Sequence, residues 1–114
     1  MALSSSSNRG RVAEDRALAY LLRHGLTLVE RNFRCKGGEI DLVMQDGGTL
    51  VFVEVRMRRS AGFGGAAASV TPAKQARLTK TAQFFLLRYP APPVCRFDVI
   101  AIDGDELKWL KDAI

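Results

Sequence analysis

The stretch Glu39–Arg56 constrains this chain more than any other, because it reads as one β-hairpin whose register follows from the residues themselves. Asp46-Gly47-Gly48-Thr49 separates two runs of β-formers, and Gly-Gly suits a two-residue loop with positive φ at both central positions. With Asp46 facing Thr49, opposed positions sum to 95. Ile40 then meets Val55, Leu42 meets Val53 and Met44 meets Val51, and this face is wholly apolar. A slip of one residue would turn that face to solvent, so pattern and turn support one register. Thr49–Arg56 is apolar on both faces until Glu54, as expected of a central strand covered from both sides.

The same register sets Asp41 opposite Glu54, and Glu39 opposite Arg56, with which it is expected to pair. Directly opposed side chains have Cβ atoms about 5 Å apart, and like charges there destabilise. The face admits three readings: one carboxyl is protonated, a divalent cation lies between the two, or solvent with Arg56 and Arg58 neutralises them. A hard cation such as Mg²⁺ takes one or two carboxylates and leaves its other positions to water and phosphate oxygens. That arrangement can activate water at a phosphodiester. Arg56, two residues beyond Glu54 on the same face, would hold the phosphate.

Around the hairpin the elements follow from periodicity. Arg9–His24 reads as a helix through Val12, Ala13, Ala17, Tyr20 and Leu21, with Gly25 as its C-terminal cap. Leu26–Arg34 reads as a first strand. Met57–Val70 is irregular and rich in Gly and Ala. Thr71-Pro72 opens a second helix, with Thr as N-cap and Pro in the first turn, running to about Tyr89 through Leu78, Ala82, Phe85 and Leu86. Val94–Ile102 and Leu107–Leu110 complete the order α-β-β-β-α-β-β, an α/β fold.

At 114 residues, with 47% apolar and 25% charged side chains, one core is expected: a domain over 9–114 behind a solvated tail over 1–8. No apolar run is long enough for a membrane span or a signal peptide. Cys35 and Cys95 are too few for a disulfide framework, and with His24 they cannot supply four zinc ligands. A cytoplasmic protein with reduced thiols is the simplest reading. Residues 1–96 carry 15 Lys/Arg against 7 Asp/Glu, whereas 97–114 carry 2 against 5. A basic body of this kind suits a polyanion such as nucleic acid, with Arg58, Arg59, Lys74, Arg77 and Lys80 as a phosphate-tracking stripe. Solvated surface charge is the competing reading for each of them.

Several other residues have a plain reading. Glu14 shares a helix stripe with Leu18 and Leu21, unusual for a surface acid. Asp98 reads as structural beside Arg96, Trp109 as packing, and His24 as a helix C-terminal cation. Gly62-Phe63-Gly64-Gly65 reads as an ordinary connection, with Phe63 stacking on a base as the alternative.

Asp41, twelve intervening residues and Glu54-Val55-Arg56 resemble the D…(D/E)xK signature of the PD-(D/E)xK nuclease superfamily. Gly10-x-x-x-Glu14, Arg31-Asn32, Gly38-Glu39-Ile40-Asp41-Leu42, Val51-Phe52-Val53-Glu54-Val55, Lys74 and Arg96-Phe97-Asp98-Val99-Ile100 together resemble the YraN family, widespread in bacteria and poorly characterised. The resemblance covers nearly the whole chain from Arg9 onward. It implies a restriction endonuclease-like, three-layer fold, also similar to archaeal Holliday-junction resolvases, with a mixed sheet flanked by helices and the site on the central hairpin. It further implies Asp41 and Glu54 as ligands of Mg²⁺ or Mn²⁺, Glu14 as an additional acid, and position 56 as the catalytic lysine. Arg56 departs from that pattern. Arginine keeps its charge and clamps phosphate, but it is a poor general acid or base. Lys74, near the start of the second helix, is the substitute. The expectation is a metal-dependent nuclease acting on branched or structured DNA rather than RNA, with a homodimer by analogy. The alternatives are a binding module that keeps the fold without catalysis, and a purely structural interaction protein.

Overall fold

A computed structural model describes residues 8–58 and 65–114, with side chains from Gly10 onward. The elements are α1 (Asn8–Arg23), β1 (Thr27–Cys35), β2 (Gly38–Asp46), β3 (Thr49–Arg58), α2 (Pro72–Leu86), β4 (Cys95–Asp103) and β5 (Glu106–Leu110), with a 3₁₀ turn at Ala67–Ser69 before α2. The order is the expected one. Helix α1 takes in Asn8, which the sequence reading gave to the tail.

Local chemistry accounts for the boundaries. Gly25 has φ +93°, and Leu26 N–H donates to Leu21 O while Gly25 N–H donates to Leu22 O, the paired bonds of a Schellman end. Thr71 Oγ1 accepts from Lys74 N–H at 3.3 Å and Pro72 stands in the first turn of α2. Helix α2 ends at Leu86, short of the expected Tyr89. The amides of Leu87, Arg88 and Tyr89 bond three residues back, so the chain tightens before Pro90.

The five strands form one mixed sheet in the order β1-β2-β3-β4-β5. Neighbours are antiparallel except β3 and β4, which run parallel across the α2 crossover. The hairpin register is as read: Asp46↔Thr49, Met44↔Val51 and Leu42↔Val53. Of the two turn glycines only Gly47 takes a left-handed φ, +59°, which is the type II′ requirement rather than the expected pair.

Each face of the sheet is covered by one helix, giving three layers. Leu42, Met44, Val51, Val53, Ile100 and Ile102 pack against Ala13, Ala17 and Leu21 of α1. Val43, Leu50, Phe52, Val99 and Ala101 pack against Leu78, Ala82 and Phe85 of α2. Full burial of each large apolar side chain contributes about 1.5–3 kcal/mol. Two apolar assignments change. Val12 is 56% exposed, because the buried stripe of α1 runs through Ala13, Ala17 and Leu21. Ile40 packs with Val43 and Phe52 instead of with Leu42 and Met44, so strict alternation breaks at Asp41.

A second polar centre lies across β4 and β5. Asp98 is fully buried and accepts from Arg96 Nε at 3.0 Å, Trp109 Nε1 at 2.9 Å and Asp112 N–H at 2.9 Å. Trp109 therefore anchors a carboxylate as well as packing beside Tyr20 and His24. Cys35 and Cys95 are free thiols. Among the described residues no helix is long and apolar enough to cross a membrane.

Helix α2 packs tightly on β2 at Gly38, where an added Cβ would lie 2.7 Å from Thr81 Oγ1. Thr81 is fully buried and its hydroxyl donates to Arg77 O at 2.8 Å, so it has little room to retreat. Gly38→Ala should cost about 1–3 kcal/mol in urea unfolding. Adding Thr81→Ala should recover most of that loss. Equal instability of the single and double variants would show that this contact does not set the spacing.

Candidate metal centre

The β2–β3 ladder ends at Leu42↔Val53. In continued register Val55 would bond to Ile40, but Val55 N–H donates instead to Asp41 Oδ2 at 2.8 Å. A carboxylate thus replaces a backbone carbonyl at the end of the hairpin. Beside it lies a pocket of about 490 Å³. Its walls are Gly10, Ala13 and Glu14 of α1, Gly38, Glu39 and Asp41 of β2, Glu54–Met57 of β3, and Lys74, Arg77 and Leu78 of α2. The first turns of α2 and the start of α1 meet the splayed hairpin there, so every layer contributes.

Glu14, Glu39 and Asp41 each offer a carboxylate oxygen within 4.8 Å of the other two. Glu14 is only 6% exposed, which explains its place in an apolar stripe. Its Oε1 accepts from Asn32 Nδ2 at 3.1 Å, and the same nitrogen reaches Glu39 Oε2 at 3.3 Å. Glu54 lies close enough to Asp41 for its charge to bear on that carboxyl. This grouping corrects the sequence reading on Glu39. It lies against Asn32 and Arg34, with an Arg34 Nε contact at 3.7 Å, whereas Arg56 turns elsewhere.

Arg56 Nε donates to Ser69 Oγ at 2.8 Å, and Nη1 approaches Glu54 Oε2 at 3.4 Å. Ser69 Oγ in turn donates to Ala66 O at 2.6 Å, and Ala66 N–H donates to Asp103 Oδ1 at 2.7 Å. The turn before α2 therefore holds the guanidinium in the pocket wall. Lys74 lies near enough for its charge to stabilise the ionised Glu54.

Of the residues singled out from the sequence, Asp41, Glu54, Arg56, Glu14, Lys74 and Arg77 come together in this pocket. Arg58 and Lys80 are exposed and do not line it. Arg59 and Phe63 lie outside the described residues. Asn32 and Ser69 received no role from sequence. Asn32 adjoins Arg31 in a quoted motif, and its left-handed φ of 52° has no one-dimensional signature. Ser69 sits in a Gly/Ala-rich stretch that carries no periodic signal.

Burial pushes the Asp41 carboxyl well above the usual carboxylate range, and the charges of Glu54, Glu14 and Glu39 push it further against the Val55 amide. Burial also raises Glu54, opposed chiefly by Arg56. The donor set is all oxygen, and Asp41 is crowded by three other carboxylates, which fits a hard divalent cation.

The fold and this acid-lined hairpin define a class: a three-layer α/β protein of restriction endonuclease-like architecture. The sequence model of Uncharacterised protein family UPF0102 matches residues 13–102. The chain is 69% identical over 105 residues to a UPF0102 protein of Herminiimonas arsenicoxydans, covering 92% of this chain and 85% of that one. It is 60% identical over 110 residues to one of Cupriavidus taiwanensis, covering 96% and 84%. The chain belongs to the UPF0102 family, which is the YraN family.

An acid whose pKa is raised by folding binds its proton more tightly in the folded state, so stability falls as pH rises from the ordinary carboxylate range through the raised value. In chelator, wild type should lose stability relative to Asp41→Asn as pH rises from about 4 toward neutrality. Asp41→Asn should raise metal-free stability near neutral pH by about 1 kcal/mol. Parallel pH profiles for the two proteins would exclude the cluster as the source.

Proposed function

We propose that this chain is a divalent-metal-dependent nuclease acting on DNA, with branched or structured DNA as the favoured substrate. The observation that carries this reading is the meeting of Glu14, Glu39 and Asp41 oxygens within 4.8 Å of one another, beside Glu54 and under Arg56 and Lys74. Glu14, Glu39 and Asp41 would hold Mg²⁺ or Mn²⁺, with the Glu54 carboxylate close beside Asp41. Such an ion, when bound, polarises a phosphoryl oxygen and lowers the pKa of water.

The chain's own cations do the remainder. Arg56, fixed by Ser69, presents a permanently charged fork that can grip non-bridging phosphate oxygens. Lys74 and Arg77, on the first two turns of α2, sit where the flanking phosphate would pass. The amine of Lys74, unlike the guanidinium, can exchange a proton, and so it takes the part that a lysine at position 56 would play.

One observation favours a second reading, a nucleic-acid-binding module without catalysis. Arg56 is tied to Ser69 and Glu54 and cannot act as a general base.

Labelled single strand, duplex, flap, four-way junction and RNA, incubated with Mg²⁺ or Mn²⁺, separate the two readings. Cleavage should require metal and fall at least about 100-fold in Asp41→Asn, the scale on which a transition-state contact is lost. Absence of cleavage with salt-dependent DNA binding intact would leave the binding module.

A further inference from the structure

Asn32 stands outside the acid set, yet two of its members converge on it. Its Nδ2 is 3.1 Å from Glu14 Oε1 and 3.3 Å from Glu39 Oε2. A side-chain amide nitrogen carries two hydrogens, so one group can serve both carboxylates. With two acceptors in front of it, the nitrogen and not the amide oxygen must face them. The two acids come from different layers, Glu14 from α1 and Glu39 from β2. Without a donor between them, they would have reason to swing apart.

The backbone adds an independent observation. Asn32 has φ 52°, a left-handed conformation inside β1, flanked by the ordinary pairs Arg31↔Leu42 and Phe33↔Ile40. Asparagine is among the few residues with a side chain that tolerate that region. It lies between the partners of Leu42 and Ile40, beside Asp41, at the point where β2 alternation breaks. The neighbouring Arg31 ion-pairs Asp15 at 2.9 Å and Glu14 at 3.5 Å, bringing the first turns of α1 down on this bend.

We infer that Asn32 is a positioning residue that holds Glu14 and Glu39 as a paired donor set for the divalent cation. This rests on the metal reading above and adds a residue to it. The third acid, Asp41, has its own fixed donor in Val55 N–H. Each of the three carboxylates therefore accepts from a neutral N–H, and Glu14 and Glu39 also lie against Arg31 and Arg34. Groups that orient metal ligands in this way typically change affinity 10–100-fold when removed.

Calorimetric titration of Mn²⁺ into wild type, Asp41→Asn, Asn32→Gly and Glu39→Gln tests this. Glycine keeps the left-handed φ without strain and deletes only the amide. Mn²⁺ binding by wild type that is lost in Asp41→Asn establishes the metal site independently of Asn32. Asn32→Gly should then weaken Mn²⁺ binding about 10–100-fold with little change in metal-free melting temperature. The effect of Asn32→Gly should shrink in a Glu39→Gln background, because the amide acts through that carboxylate. Wild-type affinity in Asn32→Gly, or additive losses in the double variant, overturns the positioning role and leaves the metal site standing. If Asn32→Gly melts far below wild type, the same cycle titrated well below its melting temperature decides; additivity there overturns it too. No Mn²⁺ binding by wild type removes both readings together.

Discussion

The hydrogen bond from Val55 N–H to Asp41 Oδ2 is the contact on which the site depends. A hairpin that continued its ladder would pair Val55 with the Ile40 backbone and close the end of the strands. Here the side chain takes the donor, and the apolar alternation of β2 changes face at the same residue. The strands can diverge without leaving Val55 unsatisfied, and the described residues contain no buried side-chain polar atom without a partner. The gap that results is where Glu14, Lys74 and Arg77 enter from the two helices. One substitution of side chain for main chain thus opens a three-layer protein to its own interior.

Most of the fold was legible because its signals are local and agree with each other. The Gly47-Gly48 turn and the apolar faces gave one register, and Thr71-Pro72 and Gly25 gave helix ends. What sequence missed was everything created by the break at Asp41. Continued alternation would put Ile40 on the Leu42 face, and the break moves it to the other. Glu39 was paired with Arg56 for the same reason, since a regular register places them opposite. Regularity, correct over Leu42–Asp46, was extended past the point where it held. Ser69 was illegible for a different reason, because its partner Arg56 is brought to it by the return of the chain and not by any period.

Arg56 shows how the surroundings limit what a residue can do. Its Nε is occupied by Ser69, and its Nη1 leans toward Glu54. Ser69 is in turn tied through Ala66 to Asp103 at the end of β4. A lysine would offer one ammonium at that point and could not make the same fork of contacts. The arginine therefore belongs to a built bracket that ties β3, the turn before α2 and β4 into one unit. Its positive charge is also what chiefly opposes the burial cost of Glu54.

Asp98 and Asp41, both on the sheet, treat charge in opposite ways. Asp98, on β4, receives Arg96, Trp109 and the Asp112 amide, so both oxygens are satisfied by the chain itself. A buried charge so enclosed needs nothing further, and removing a partner is what would harm it. Asp41, on β2, receives the Val55 amide and otherwise faces Glu54, Glu14 and Glu39. Repulsion of that kind is a standing cost to the folded state, and a chain selected for stability alone would relieve it with an amide or an apolar residue. The same fold evidently can build a complete cage, since it does so on β4. That it leaves Asp41 itself among carboxylates, with the nearby arginines turned to Glu14, Glu39 and Glu54, is the physical reason to read the one as structure and the other as a candidate site.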